Sequence, residues 1–166
     1  MAPFFFMLVM GGIVGACHSG SSPTLPLWWE CTADTTISRQ SLLGQPIAIA
    51  KKAESGLYYD DSMGCTFQYT LPSEGKLWVE YYASKDTIRT IALVWESDSF
   101  TRLTDMYQKL RTTYTRQYGE PSGAVGDLEW RIADTLRVVL RLSPERRYLH
   151  SSFSLLSPDE NLHQNR

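Results

Sequence analysis

The chain has 166 residues, and its 16 lysines and arginines against 18 aspartates and glutamates give a formal net charge of -2. That length suits one domain with a full hydrophobic core, and a 43% share of hydrophobic residues excludes a disordered chain. The basic side chains of residues 101–166 alternate with acidic and apolar ones, so the sequence predicts no nucleic-acid partner.

The N-terminal segment contains no charged side chain before Glu30, and an apolar run extends from Pro3 to Ala16. This run is shorter than the roughly 20 residues of a membrane-crossing helix and matches the apolar region of a signal peptide. The segment Val14–Cys17 resembles the lipobox of bacterial lipoproteins. The resemblance implies removal of residues 1–16 and attachment of a diacylglycerol, with acyl chains such as palmitate, to Cys17. The alternative is a buried apolar segment with an unmodified cysteine.

Residues 17–27 follow this motif and are rich in serine and glycine, which predicts a flexible tether. Lipoproteins that carry Asp after the cysteine tend to stay in the inner membrane of Gram-negative cells. Here that residue is His18, so the resemblance implies attachment to the outer membrane if the cell has one. The mature domain is expected at 28–157, followed by a polar tail at 158–166.

Two cysteines, Cys31 and Cys65, remain once Cys17 is lipidated. A pair of cysteines in an oxidising compartment favours a disulfide, although two separate buried thiols are the alternative.

The first elements of the domain are a short helix and a series of strands. Thr35 or Thr36 can cap a helix that ends at Leu43, before Gly44 and Pro46. Alternation of apolar and polar residues then predicts strands at 64–71, 76–83 and 87–96, joined by turns.

The clearest pattern is an apolar stripe with helical spacing in residues 99–118, formed by Phe100, Leu103, Tyr107, Leu110, Tyr114 and Tyr118. Gly119 and Pro121 end this helix, and strands are predicted at 127–133, 135–142 and 147–156. The sequence therefore predicts an α+β fold: an antiparallel meander of about six or seven strands, one long helix on a face, and a short N-terminal helix.

Two segments, Leu43–Pro46 and Tyr118–Pro121, both end a helix and precede strands. Two copies of one unit would explain this, but Gly and Pro punctuate helix ends generally, and that simpler explanation is preferred. Residues 36–96 are slightly similar to the small lipoprotein of the outer-membrane β-barrel assembly machine and to the tandem-unit β-lactamase inhibitor proteins. In those families a helix ending in Leu-Gly-x-Pro leads into a sheet, and the resemblance assigns no functional residue here.

Catalytic candidates are few. His18 adjoins the anchor and His163 lies in the tail, so only His150 on the last strand could act as a general base. No nucleophile elbow, zinc-binding motif or calcium loop occurs, so no cofactor or metal is predicted. Asp60 and Asp61 are interpreted as solvated turn residues rather than as a cation site.

The aromatic residues of the meander are more numerous than one sheet face can bury. If the long helix covers one face, Trp78 and Tyr82 lie on the other, where exposed aromatics mark a binding surface. The alternative is that Trp28 and Trp29 cover that second face. The predicted function is a lipid-anchored, non-catalytic binding or assembly module of the cell envelope with a protein partner. A small envelope hydrolase using His150, or an inhibitor or immunity-type protein, are the alternatives.

Overall fold

The computed structural model describes residues 25–33 and 37–156. The helical segments are α1 (Leu27–Glu30), a 3-10 turn (Arg39–Leu42), α2 (Ile47–Ala53), α3 (Phe100–Tyr118) and a second 3-10 turn (Ala133–Thr135). The strands are β1 (Leu57–Asp60), β2 (Gly64–Leu71), β3 (Gly75–Ser84), β4 (Thr87–Glu96), β5 (Ser122–Ala124), β6 (Asp127–Ile132), β7 (Leu136–Ser143) and β8 (Tyr148–Leu155). Within these ranges, none of the helices has the length and apolar content that crossing a membrane requires.

The strands form one antiparallel sheet in the order β1-β2-β3-β4-β8-β7-β6-β5. It consists of two four-stranded meanders whose last strands, β4 and β8, pair at the centre. Each meander follows a helical segment, so the two halves of the chain have the same order of elements, as a repeated unit would give. The predicted α+β class, antiparallel sheet and long helix are confirmed. The predicted strand number is wrong, because the short edge strands β1 and β5 carry no alternating pattern.

Helix α3 covers the second half of the sheet. It begins after Ser99, whose hydroxyl accepts a hydrogen bond from the Arg102 N–H at 3.4 Å, and it ends at Gly119, which has a φ of 89°. The end at Gly119 agrees with the prediction, and Ser99 acts as the N-cap. Its buried side chains are Leu103, Met106, Tyr107, Leu110 and Tyr114. The predicted stripe is therefore confirmed at its centre, whereas Phe100 at its start is exposed.

The first half of the sheet is covered by α1, the first 3-10 turn and α2, on the same side as α3. Trp29, Leu42 and Ala50 join the core cluster that also contains Tyr81 and Leu110. The helix predicted to end at Leu43 is only the 3-10 turn, and its predicted start lies outside the described residues. Helix α2 was not predicted, because the two buried alanines of a seven-residue helix leave too weak an apolar stripe to recognise.

A buried ion pair lies beneath these short helices. The Arg39 Nε donates to Glu54 Oε1 at 2.7 Å, and both side chains are almost inaccessible to solvent. Tyr81 Oη donates to the same oxygen at 2.6 Å, and the Tyr69 hydroxyl donates to Glu54 Oε2. Arg39 also donates to the main-chain oxygen of Trp29 at 3.1 Å. Arg39 and Glu54 thus connect the N-terminal segment to α2, β2 and β3.

Candidate functional site

The two faces of the sheet differ in what covers them. On β3 the side chains of Leu77, Val79 and Tyr81 point toward the helices and are buried. The intervening residues Trp78 and Tyr82 point to the opposite face, because side chains alternate along a strand. No described helix packs on that opposite face, which we call the open face. Trp28 and Trp29 do not cover it, since the Trp28 ring contacts the helix-side residue Trp95 with ring centroids 5.4 Å apart.

The first half of the open face carries an aromatic patch, formed by Tyr59, Trp78 and Tyr82. The ring centroids of Tyr59 and Trp78 lie 6.5 Å apart, and Tyr59 and Tyr82 have exposed fractions of 50% and 39%. Partial burial, reinforced by a hydrogen bond to Glu80, raises the pKa of Tyr82 to about 12. Trp78 and Tyr82 therefore lie on the face that the first interpretation of the aromatics gave them, although Trp78 is half-buried and only Tyr82 is exposed. Tyr59 joins them because β1, which the sequence analysis missed, adds a strand beside β2.

The second half of the open face carries ion pairs between β6 and β7. Glu129 accepts from Arg131 Nε and from Arg137 Nη2, both at 2.7 Å, and Arg141 Nε donates to Asp127 Oδ1 at 2.8 Å. Burial opposes ionisation of Glu129, but the hydrogen bonds from Arg137 and Arg131 prevail and hold its pKa below the ordinary value. The pairs Glu129–Arg137 and Asp127–Arg141 join β6 to β7, as cross-strand pairs commonly do, whereas Glu129–Arg131 lies within β6.

His150 lies on the open face between the two regions, opposite Val94 on β4 and Arg141 on β7. It is half-buried rather than fully solvated, and burial together with the Arg141 charge lowers the pKa of its imidazole. Its Nδ1 atom has no hydrogen-bond partner. The ring therefore lacks the orienting acceptor that fixes a catalytic base in a triad.

The predicted disulfide between Cys31 and Cys65 is not formed, because Cys65 is a free and buried thiol. Burial raises the pKa of this thiol to about 11. Cys31 lines a cavity together with Tyr69 and Leu77, which face each other across β2 and β3.

The acidic pair at the end of β1 stabilises local structure. Asp60 Oδ2 accepts from Lys51 Nζ at 2.8 Å, and Asp61 Oδ1 accepts from the N–H groups of Met63 and Gly64 at 2.7 and 2.8 Å. Within 25–33 and 37–156, no group of three His, Cys, Asp or Glu side chains could hold a metal ion. The candidate lipidation site Cys17, together with His18 and His163, lies outside the described residues.

Comparison with known proteins gives no family. No protein-family model matches the chain, and no curated protein is significantly similar to it. Among solved structures, a cysteine-rich secretory protein from Staphylococcus aureus aligns at 7% identity and a TM-score of 0.36. The alignment covers 74% of this chain and 47% of that protein, so the chain spans about half the length of this neighbour. A similarity of this size establishes neither a shared fold nor a shared function.

Proposed function

We propose that this protein is a lipid-anchored module of the cell envelope that binds a protein partner through the open face and catalyses no reaction. The observation that carries the proposal is the aromatic patch of Tyr59, Trp78 and Tyr82, which no described helix covers. Exposed aromatic side chains on a rigid sheet provide large contact area with little loss of side-chain entropy, and interface hot spots are enriched in Trp and Tyr.

The first described residue supports this arrangement. Leu25 lies within the predicted tether of 17–27 and is buried in the helix-side core, so the described chain begins on the helix side. The eight residues 17–24 span at most about 29 Å when fully extended. A lipid at Cys17 would hold the domain close to the membrane by its helix side. A flexible tether of this length leaves the open face accessible to a partner in the same compartment.

Substitutions on the open face test the binding function. In a partner pull-down from native envelope membranes followed by affinity measurement, we expect Trp78→Ala and Tyr82→Ala to weaken binding more than about tenfold, because an interface aromatic commonly contributes about 2 kcal/mol. His150→Ala is the matched control on the same face, and we expect it to leave binding nearly unchanged.

The hydrolase alternative reverses this pattern. It requires His150→Ala to abolish turnover while both aromatic variants retain it. Circular dichroism of each variant separates lost binding from lost folding. If Trp78→Ala and Tyr82→Ala are folded and bind the partner as tightly as the unaltered protein, the proposal is wrong.

Replacement of the lipidation site tests the anchor. We expect Cys17→Ser to abolish metabolic labelling with palmitate and to prevent cleavage of the signal peptide, because the lipobox cysteine is both the acylation site and the new N-terminus. The measurement is fractionation of the labelled cells. Cys65→Ser is the control and should keep the label. Labelling that persists in Cys17→Ser would contradict the lipobox interpretation.

A further inference from the structure

Strand β1 forms one edge of the sheet, and its side chains are unusually exposed. It pairs only with β2 among the described strands. Leu57, Tyr58 and Tyr59 have exposed fractions of 61%, 41% and 50%, although all three are large and apolar or aromatic. An apolar edge of this kind is a template for pairing with an incoming strand, and proteins usually protect it with Pro, inward charges or a cover.

The outward backbone groups of β1 can be identified from its hairpin. The Asp61 N–H donates to the Gly64 carbonyl at 3.1 Å, which makes these residues a hydrogen-bonded pair of the ladder. Because such pairs alternate in an antiparallel ladder, Leu57 and Tyr59 direct their backbone groups toward β2. Tyr58 and Asp60 direct theirs away from the sheet. No described strand supplies partners for those N–H and C=O groups.

This edge is held rigidly. The Asp61 carboxylate closes the β1–β2 turn through its two backbone hydrogen bonds. Lys51 on α2 neutralises Asp60, and its ammonium lies 5.7 Å from the centre of the Tyr58 ring. At Gly64, an added Cβ would lie 1.9 Å from the Tyr81 carbonyl oxygen, so β2 and β3 approach closely here. An edge that is already ordered costs little conformational entropy when a strand binds.

A second copy of this chain is a poor occupant of the edge. A four-residue strand is only about 13 Å long. Two copies paired edge to edge would extend one sheet and leave both open faces uncovered. Their contact would fall well below the roughly 1,200 Å² that a stable interface buries. A partner that also contacts Tyr59 and Trp78 buries more surface area, because these two rings lie on the open face next to the edge.

We propose that the partner supplies an extended segment that adds a strand to the β1 edge, with apolar side chains at alternate positions. These side chains lie beside Leu57 and Tyr59 and lead the rest of the partner onto the aromatic patch. The intervening side chains lie beside Tyr58 and Lys51 on the helix side. This inference rests on the proposed binding function and specifies the form of the partner: backbone hydrogen bonds supply register, and the alternate side chains supply selectivity.

The substitution Tyr58→Pro tests the β1 edge separately from the open face. The probe is a phage-displayed library of random linear decapeptides, selected against the full chain in detergent. We expect the selected peptides to show alternate apolar residues. Tyr58→Pro removes an N–H that β2 does not use and should weaken their binding more than about tenfold. Tyr58→Val loses the same ring but keeps the N–H, and should stay within about threefold of the unaltered protein.

Hydrogen exchange of the unaltered protein provides a second measurement that does not depend on the folding of the proline variant. We expect the Tyr58 and Asp60 amides to become protected when a selected peptide binds. Unchanged exchange, equal affinity of the two Tyr58 variants, or a library that yields no binder would each overturn the inference. The protein could instead form dimers as its concentration rises, and Tyr58→Pro could abolish them. That result would assign the β1 edge to a second copy of the chain and would also overturn the inference.

The two proposals fail differently. Trp78→Ala could abolish partner binding while Tyr58→Pro leaves it unchanged. The open face would then bind without strand addition, so this inference would be wrong and the proposed function would be retained. If neither Trp78→Ala nor Tyr82→Ala affects the partner, the proposed function falls whatever the peptides do at the edge.

Discussion

The two halves of the sheet have the same order of elements but place their polar groups on opposite sides. In the first half, Arg39 and Glu54 are buried beneath short helices, and the open face is aromatic. In the second half, the long helix α3 packs an apolar stripe on the sheet, and the charges lie on the open face as ion pairs. The comparison shows that this topology does not dictate where polar groups lie. The helices that pack on the sheet determine their position, because short helices leave backbone carbonyls that a buried arginine can satisfy.

The largest expected effect tests the buried charges of the first half. We expect Glu54→Gln to lower the free energy of unfolding by about 3–5 kcal/mol, because it leaves the Arg39 charge buried without a counter-ion. The measurement is the urea midpoint at constant m-value. Tyr81→Phe is the matched control: it removes one hydrogen bond to the same carboxylate but no charge, and should cost about 1 kcal/mol. Equal effects of the two variants would contradict a dominant role for charge.

The second prediction concerns the apolar cover of the second half. We expect Leu110→Ala to destabilise the protein by about 2–4 kcal/mol, because Leu110 is fully buried and its loss creates a cavity beneath α3. Thermal unfolding followed by circular dichroism measures the change. Phe100→Ala on the same helix serves as the control, since Phe100 is 47% exposed and should cost much less. A similar loss from both variants would mean that α3 does not bury its stripe as described.

The smallest effect is expected from the ion pairs of the open face. Glu129→Gln should cost no more than about 1 kcal/mol at pH 7, because exposed ion pairs contribute little. The pKa of Glu129 is lowered in the folded protein, so its stabilisation is present above the ordinary value of 4.5 and is lost as the pH falls through the folded pKa. The difference in the free energy of unfolding between the unaltered protein and Glu129→Gln should therefore become smaller from pH 7 to pH 3. A difference that persists at pH 3 would show that the carboxylate charge is not responsible.

The sequence allowed the long elements to be predicted well. Helix α3, strands β2 to β4 and strands β6 to β8 lie within one or two residues of their predicted bounds, because each carries a periodic apolar pattern. The short elements α2, β1 and β5 could not be recognised, since three to seven residues hold too little of any period. Missing β1 also meant missing Tyr59, although the run Leu57-Tyr58-Tyr59 between Gly56 and Asp60 is a signal typical of a strand.

Contacts between distant parts of the chain were harder to predict than elements. The Arg39–Glu54 pair joins a 3-10 turn to the end of an unpredicted helix, and neither side chain stands out in the sequence. The disulfide prediction failed for the same reason: two cysteines suggest a bond, but only the folded structure shows that Cys65 is a buried free thiol. For the candidate site, alternation placed Trp78 and Tyr82 on one face, whereas the absence of a described cover depended on tertiary structure.

The central position of β8 has a consequence for the order in which the protein folds. β8 is the last strand in the described chain, yet it pairs with both β4 and β7 in the middle of the sheet. Until Tyr148–Leu155 has paired, the strands beside it keep bare edges and the core lacks Leu149 and Phe153. A chain truncated before Tyr148 would therefore expose two unpaired edges and aggregate, and the whole sheet can form only after β8 has joined it.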